Sequence, residues 1–260
     1  MNPMDGIRFA FGTLTALPVR VTRWDRTAAR AGMLWAPLPG LVVGLCAAAA
    51  GGAFLLLDSG PLLAAVATAA VPAALTRGLH LDGLADVADG LGSAKPAEDA
   101  LRIMKQSDIG PFGVLTLVFV LLAQVAVLAE LYAVSWTRGA LAATVAGVTA
   151  RLALTLACRT GVPPARPDGL GAAVAGAVPV RVAAPLALTV TALCATAAGA
   201  TWGLDAAVHY ALAVAAALTA AQLLLSHCVR RFGGVTGDVF GAVAETAATA
   251  ALIVSALGTF

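Results

Sequence analysis

Three aspartates, Asp82, Asp86 and Asp89, share the short stretch His80-Leu-Asp-Gly-Leu-Ala-Asp-Val-Ala-Asp-Gly90, in a chain where only 12% of residues are charged. If the stretch is helical, offsets of four and seven residues bring all three within an arc of roughly 60°, at about 100° per residue. Their Cα atoms then span about 10 Å along the helix axis. Carboxylates that close repel one another, and something positive must offset the repulsion. A hard divalent cation is suited to it, because such ions take oxygen ligands. Magnesium is usually held by one or two carboxylates, with water and substrate phosphates as its other ligands. The stretch reads first as a metal–phosphate site.

Further along, Met104-Lys-Gln-Ser-Asp-Ile-Gly-Pro-Phe-Gly113 supplies Lys105, which could meet a phosphate, and Asp108, which could complete a metal shell. Each could equally be a solvated loop charge. Glu98 and Asp99 sit where the start of a short helix over Ala97 to Lys105 favours acids, which is sufficient reason for them. A third stretch is Arg230-Arg-Phe-Gly-Gly-Val-Thr-Gly-Asp-Val-Phe-Gly241. Its glycines 233, 234 and 237 let backbone amides turn toward an anion, Thr236 offers a hydroxyl and Asp238 a carboxylate. The plainer reading is a turn at the mouth of a helix. Arg166-Pro-Asp-Gly-Leu-Gly171 could touch substrate, but a proline–glycine turn accounts for it more simply. The four cysteines lie singly in or beside apolar runs and read as small buried side chains. Neither a Ser/His/Asp nucleophile pattern nor a Walker loop is present.

The elements that must position these residues are membrane spans. The chain is 60% hydrophobic with a mean hydropathy of +0.91, and its charged fraction is half the roughly 25% usual in a soluble domain. Seven apolar runs clear or approach the roughly 20 residues needed to cross a bilayer. They cover Leu34 to Leu57, Leu62 to Leu79, Pro111 to Val134, Gly139 to Cys158, Val182 to Trp202, Ala206 to Ser226, and Gly241 onward. The expectation is an all-α polytopic bundle forming one domain over 1–260. Within it lie a basic interfacial segment over 1–33, the Asp-rich segment over 80–110 and the glycine-rich loop over 227–240.

Fourteen of the sixteen Lys and Arg then fall on one side of the bundle. Only Arg138 lies on the other, and Arg151 sits inside the fourth span. The positive-inside rule puts the N-terminus and the aspartates in the cytoplasm and the C-terminus outside. A buried Arg151 needs a carboxylate or a bound phosphate as partner, and Glu245, inside the last span, is a functional hypothesis by default. A net charge of +2 is too small to suggest nucleic acid.

These stretches together resemble a known family. Leu81-Asp-Gly-Leu-Ala-Asp-Val-Ala-Asp-Gly-Leu91, the Ile109-Gly-Pro-Phe-Gly113 segment with Met104-Lys105 before it, and Gly233-Gly-Val-Thr-Gly-Asp-Val-Phe-Gly-Ala242 are similar to motifs of cobalamin synthase, also called adenosylcobinamide-GDP ribazoletransferase. Phe11-Gly-Thr-Leu-Thr-Ala-Leu-Pro-Val19 and Asp168-Gly-Leu-Gly171 fit the family's opening segment and middle loop. Gln106 stands where many members carry an acid, and Asp108 where many carry arginine.

The resemblance implies an inner-membrane enzyme of cobalamin biosynthesis with its active site facing the cytoplasm. It would transfer the cobinamide phosphate from adenosylcobinamide-GDP to α-ribazole or its 5′-phosphate, releasing GMP, with Mg²⁺ as cofactor. Asp82, Asp86 and Asp89 would ligate the metal, one of them serving as base, and Asp108 would join the shell. Lys105, Arg151, Gly234, Thr236, Gly237 and Asp238 would hold phosphate or substrate. Partners are the two substrates and the bilayer, and a homo-oligomer is compatible with this reading.

Two rivals differ in their residues. A CDP-alcohol phosphotransferase also clusters aspartates at a membrane face, but its Asp-Gly-x-x-Ala-Arg pattern is broken here by Asp86. A cation transporter would string its acids through the bundle, whereas these gather at one face.

Overall fold

The apolar runs are helical throughout the computed structural model, which describes residues 3–258. Among the described residues the order is α1 (Pro3–Leu14), α2 (Arg26–Trp35), α3 (Pro37–Leu56), α4 (Pro61–Leu75), α5 (Leu79–Gly92), α6 (Ala97–Ile103), α7 (Pro111–Val134), α8 (Trp136–Ala157), α9 (Gly169–Val174), α10 (Val180–Trp202), α11 (Leu204–Phe232) and α12 (Gly237–Ala256). Proline opens α3, α4 and α7, where its missing N–H costs nothing because first-turn amides have no acceptor within the helix.

Six of these helices, α3, α7, α8, α10, α11 and α12, are long and apolar enough to cross a membrane. The shorter α4 has 15 residues and lies along α3 and α7. It runs from the turn after α3 to the level of α1, where Ala16 N–H donates to the Leu75 carbonyl at 2.5 Å. We read it as a short seventh crossing. The all-α membrane bundle expected from the sequence is therefore the fold.

α8 is the central helix, its crossing segment 78% buried, and it packs most closely on α3. Gly40 and Gly44 of α3 make that approach: a Cβ on Gly44 would lie 2.7 Å from Thr144 Cα of α8. Small residues at this spacing let two backbones meet where no water drives association. α7 instead turns Leu115, Val118, Phe119 and Leu122 outward, a helical stripe suited to lipid.

The structure departs from the sequence reading at the start of the first crossing, at the glycine-rich loop and at Cys46. The first crossing begins at Pro37, because α2 is a separate helix capped by Asp25, whose carboxylate accepts the Thr27 and Ala28 amides. α1 packs on α2: Phe9 is buried, set edge-on to Trp24 and against Gly32. α11 continues through Phe232, so the glycine-rich loop expected over 227–240 narrows to residues 233–236. Cys46 is exposed, whereas Cys158, Cys194 and Cys228 are buried as expected.

Candidate functional site

The site is built by a bend. Arg77 at φ 54° and Gly78 at φ 71° both adopt left-handed backbone, and α5 leaves α4 at 88°. α5 consequently lies across the N-terminal ends of α7 and α12, outside the crossings. Close approach to α12 is set by Gly83, whose added Cβ would meet the Asp238 carbonyl oxygen at 2.6 Å. The helical reading of the aspartate stretch holds, but the three carboxylates have different surroundings. Asp82 is exposed, Asp86 is half-buried, and Asp89 is only 7% exposed.

Asp89 accepts the backbone N–H groups of Gly110 at 2.8 Å and Gly113 at 3.0 Å. It thereby caps α7 from a neighbouring helix, satisfying first-turn donors that have no partner of their own. Asp82 and Asp86 border a cavity of about 570 Å³ together with Arg77, Gln106, Ser107 and Asp108. An adjoining cavity of about 230 Å³ shares Asp86, Gln106 and Asp108 and reaches Asp89.

The first turn of α12 completes the cluster. Thr236 is its N-cap: the hydroxyl accepts the Val239 N–H at 3.2 Å and donates to Asp238 at 3.1 Å. Arg166 stands 3.9 Å from the Asp238 carboxylate and also donates to the Leu101 carbonyl of α6. Burial, followed by the neighbouring Asp238, Asp82 and Asp89, pushes the Asp86 carboxyl up to about 7, with Arg166 opposing. Four carboxylates thus crowd one membrane face, where the positive ends of two helix dipoles offset them in part.

Among the described residues no three His, Cys, Asp or Glu side chains form a ready-made metal cluster. Asp89 gives one acceptor site of each oxygen to α7 and still lines the smaller cavity, while Asp82, Asp86, Asp108 and Asp238 stand near the cavities as further oxygen donors. That donor set fits a hard divalent cation held by one or two carboxylates and completed by phosphate and water.

The other expected residues divide. Lys105 is exposed within electrostatic reach of Asp238. Gly237 opens α12 with no neighbour where a Cβ would be, although Gly171 and Gly83 pack against the backbone on either side of it. Gly234 packs against the backbone of Pro163 and Pro164, and the adjacent Val235 N–H donates to the Pro163 carbonyl at 2.9 Å. Arg151 borders neither cavity. It lies in the bundle at 3% exposure, with Nε and Nη2 lacking hydrogen-bond partners. Glu245 accepts from Gln124 at 3.2 Å, and Gln124 also donates to Thr249 at 2.9 Å.

The family described as cobalamin-5-phosphate synthase matches residues 6–256, nearly the whole chain. The chain belongs to that family. Adenosylcobinamide-GDP ribazoletransferase of Frankia casuarinae is 45% identical over 96% of this chain and 94% of its own length. The enzyme of the same name from Nocardioides sp. is 42% identical over 96% of this chain and 97% of its own. That of Bradyrhizobium diazoefficiens is 38% identical over 98% and 94%. No solved structure matches the chain significantly.

Two residues of this cobalamin-5-phosphate synthase family chain escaped the sequence reading. Arg77 counted there only as a loop charge, yet it holds a left-handed conformation at the bend and borders the larger cavity. Non-glycine residues in that region are uncommon and concentrate where a fold holds a site under strain. Arg166 was weighed as a substrate contact and given the simpler account of a turn, yet it links α6 to Asp238.

Proposed function

We propose that the protein transfers the cobinamide-bearing phosphate of adenosylcobinamide-GDP to α-ribazole or its 5′-phosphate, with magnesium as cofactor. The ribazole 3′-hydroxyl attacks the β-phosphorus, a new P–O bond forms, the bond to the bridging oxygen breaks, and GMP leaves with that oxygen. The hydroxyl proton is released, and adenosylcobalamin or its 5′-phosphate is the other product. The observation that carries this reading is 38–45% identity, end to end, to relatives bearing that name.

Phosphoryl transfer asks a protein for positioning and charge neutralisation more than for covalent chemistry. Asp82 and Asp86, with Asp108 and Asp238 nearby, would hold magnesium, which when bound neutralises charge on the two phosphates. Asp89 fixes α5 against α7 and so aims the other carboxylates. The first turn of α12 at Gly237, with Lys105, Arg77 and Arg166 around it, favours a phosphate through amide dipoles and fixed positive charge. Thr236 holds Asp238 in orientation. Arg151, which borders neither cavity, would meet the substrate only if the bundle around it opens. The 14-to-1 division of Lys and Arg between the two ends favours a cytoplasm-facing site in the cell inner membrane.

The test is direct. Protein purified in detergent and given adenosylcobinamide-GDP, α-ribazole and magnesium should yield a cobalamin and GMP together. Absence of both products from folded wild-type protein would sink the proposal. Asp86→Asn should lower the rate at least about a hundredfold if Asp86 helps neutralise the transition state.

A further inference from the structure

At the end of the bundle opposite the aspartates, a cavity of about 400 Å³ opens between α7, α8, α10 and α11. Its chemistry is unlike that of the lipid-facing surface around it. Arg138, Trp202, Asp205, His209 and Tyr210 all border it. The Arg138 guanidinium lies 5.4 Å from the centroid of the Trp202 ring, and Trp202 stacks on Tyr210 with 6.3 Å between centroids. Arg138 and Asp205 share the cavity without forming an ion pair with each other. The Nε2 of His209 is buried and has no hydrogen-bond partner. A buried polar atom left unpaired costs stability, so the wall of the cavity at His209 is polar and unsatisfied.

Position and charge narrow the occupant. Among the described residues Arg138 is the one Lys or Arg at this end, where fourteen others stand at the far end and Arg151 is within α8. The cavity sits where four crossings end, the depth at which Trp and Tyr mark a membrane–water boundary. Directly beside it on α11, Leu204, Val208 and Leu212 form an exposed apolar ridge at four-residue spacing. A ligand seated here meets a cation with its anionic part, a carboxylate with its cationic part, and a greasy ridge with its tail.

We propose that this cavity binds the headgroup of a membrane phospholipid carrying both a phosphate and a primary ammonium, the phosphatidylethanolamine class. The phosphate lies against Arg138, the ammonium against Asp205, and an acyl chain runs along Val208 and Leu212. This assignment is independent of the transfer reaction at the other end of the molecule.

The experiment uses full-length protein, delipidated in detergent. It is titrated separately with phosphatidylethanolamine, phosphatidylglycerol and free phosphoethanolamine while the unfolding midpoint is followed and bound lipid is counted by native mass spectrometry. Phosphatidylethanolamine should bind about tenfold more tightly than phosphatidylglycerol and raise the midpoint, because only it supplies the second charge-assisted contact. Asp205→Asn should erase that preference while leaving phosphatidylglycerol binding unchanged, and Arg138→Gln should weaken both lipids. Wild-type protein that binds the two lipids equally would overturn the proposal without recourse to any variant. Stabilisation by free phosphoethanolamine equal to that by the lipid would also overturn it, in favour of a soluble zwitterion.

Discussion

Asp89 on α5 receives the backbone N–H of Gly113 on α7 at 3.0 Å, a hydrogen bond between residues 24 apart in sequence. The same carboxylate holds Gly110, so one side chain seats the start of a crossing helix against the helix that carries Asp82 and Asp86. The Gly113 amide is buried and would not find water easily if the carboxylate were removed, whereas Gly110 lines the smaller cavity. Asp89→Ala should cost about 3 kcal/mol, within the range for hydrogen bonds to a buried charged group. Asp89→Asn should fall between it and wild type, since its amide oxygen can accept from one N–H while its NH₂ confronts the other. Chemical denaturation in detergent measures both. An Asp89→Ala protein as stable as wild type would mean that α7 is capped by other means.

Asp86 should behave oppositely. Its carboxyl is pushed up to about 7 by burial and by Asp238, Asp82 and Asp89. An acid whose folded pKa is raised stabilises the fold below its unfolded value near 4, and that contribution is lost as pH rises through the folded value. Metal-free protein should therefore lose stability between about pH 4 and pH 7 as the Asp86 carboxylate forms. Magnesium should restore it at neutral pH by binding the ionised form, the linkage expected of any native-state ligand. Asp86→Asn should flatten the profile and abolish the magnesium response. Melting curves at several pH values, with magnesium and with a chelator, decide it. A wild-type profile unaffected by the metal would remove Asp86 from the proposed cation site.

The contrast between Asp86 and Asp89 marks what the sequence could tell. Apolar run length located the crossings, and Pro111 to Val134 matches α7 end to end. Spacing put the aspartates on one helical face. Nothing local revealed that Asp89 turns to α7 while Asp86 turns to the cavity, because the donors lie 21 and 24 residues away. The bend at Arg77 was equally hidden, since arginine has no preference for the left-handed region and is held there by the tertiary structure. Arg166 reaches Leu101 across 65 residues, a pairing that no periodicity signals.

Two glycines should separate packing from phosphate contact. Gly83→Ala inserts a methyl group 2.6 Å from the Asp238 carbonyl oxygen and 2.9 Å from its Cα, where backbone cannot yield cheaply. It should destabilise by about 1–3 kcal/mol, as overpacking does, and displace α5 from α12, lowering kcat. Gly237→Ala meets nothing within 4 Å and should fold normally. If the first turn of α12 receives the substrate phosphate, however, the new methyl group crowds it and KM for adenosylcobinamide-GDP should rise about tenfold, the change given by about 1.4 kcal/mol. Steady-state kinetics beside a melting curve resolve the pair. A Gly237→Ala enzyme with unchanged KM would move the phosphate away from α12.

Arg151 on α8 and Glu245 on α12 influence each other electrostatically within the bundle without forming an ion pair, and Arg151, at 3% exposure, has no partner for Nε or Nη2. Glu245 has Gln124 as a hydrogen-bond donor. Arg151→Met leaves the carboxylate without the cation that offsets it, and Glu245→Gln leaves the guanidinium without the anion that offsets it. Each single change should cost up to about 3–5 kcal/mol, the scale for breaking a buried charge pair from one side. The double variant removes both charges and should regain most of that loss, since well-packed neutral side chains replace buried ion pairs with little penalty. A purely structural pair would regain activity along with stability. If Arg151 instead reaches the substrate through its two free nitrogens, the double variant should be as stable as wild type yet still lose kcat/KM by a hundredfold or more, about 3 kcal/mol of transition-state stabilisation. Unfolding midpoints and kcat/KM measured on the same four proteins separate these outcomes, and a stable, fully active double variant would withdraw Arg151 from the substrate site.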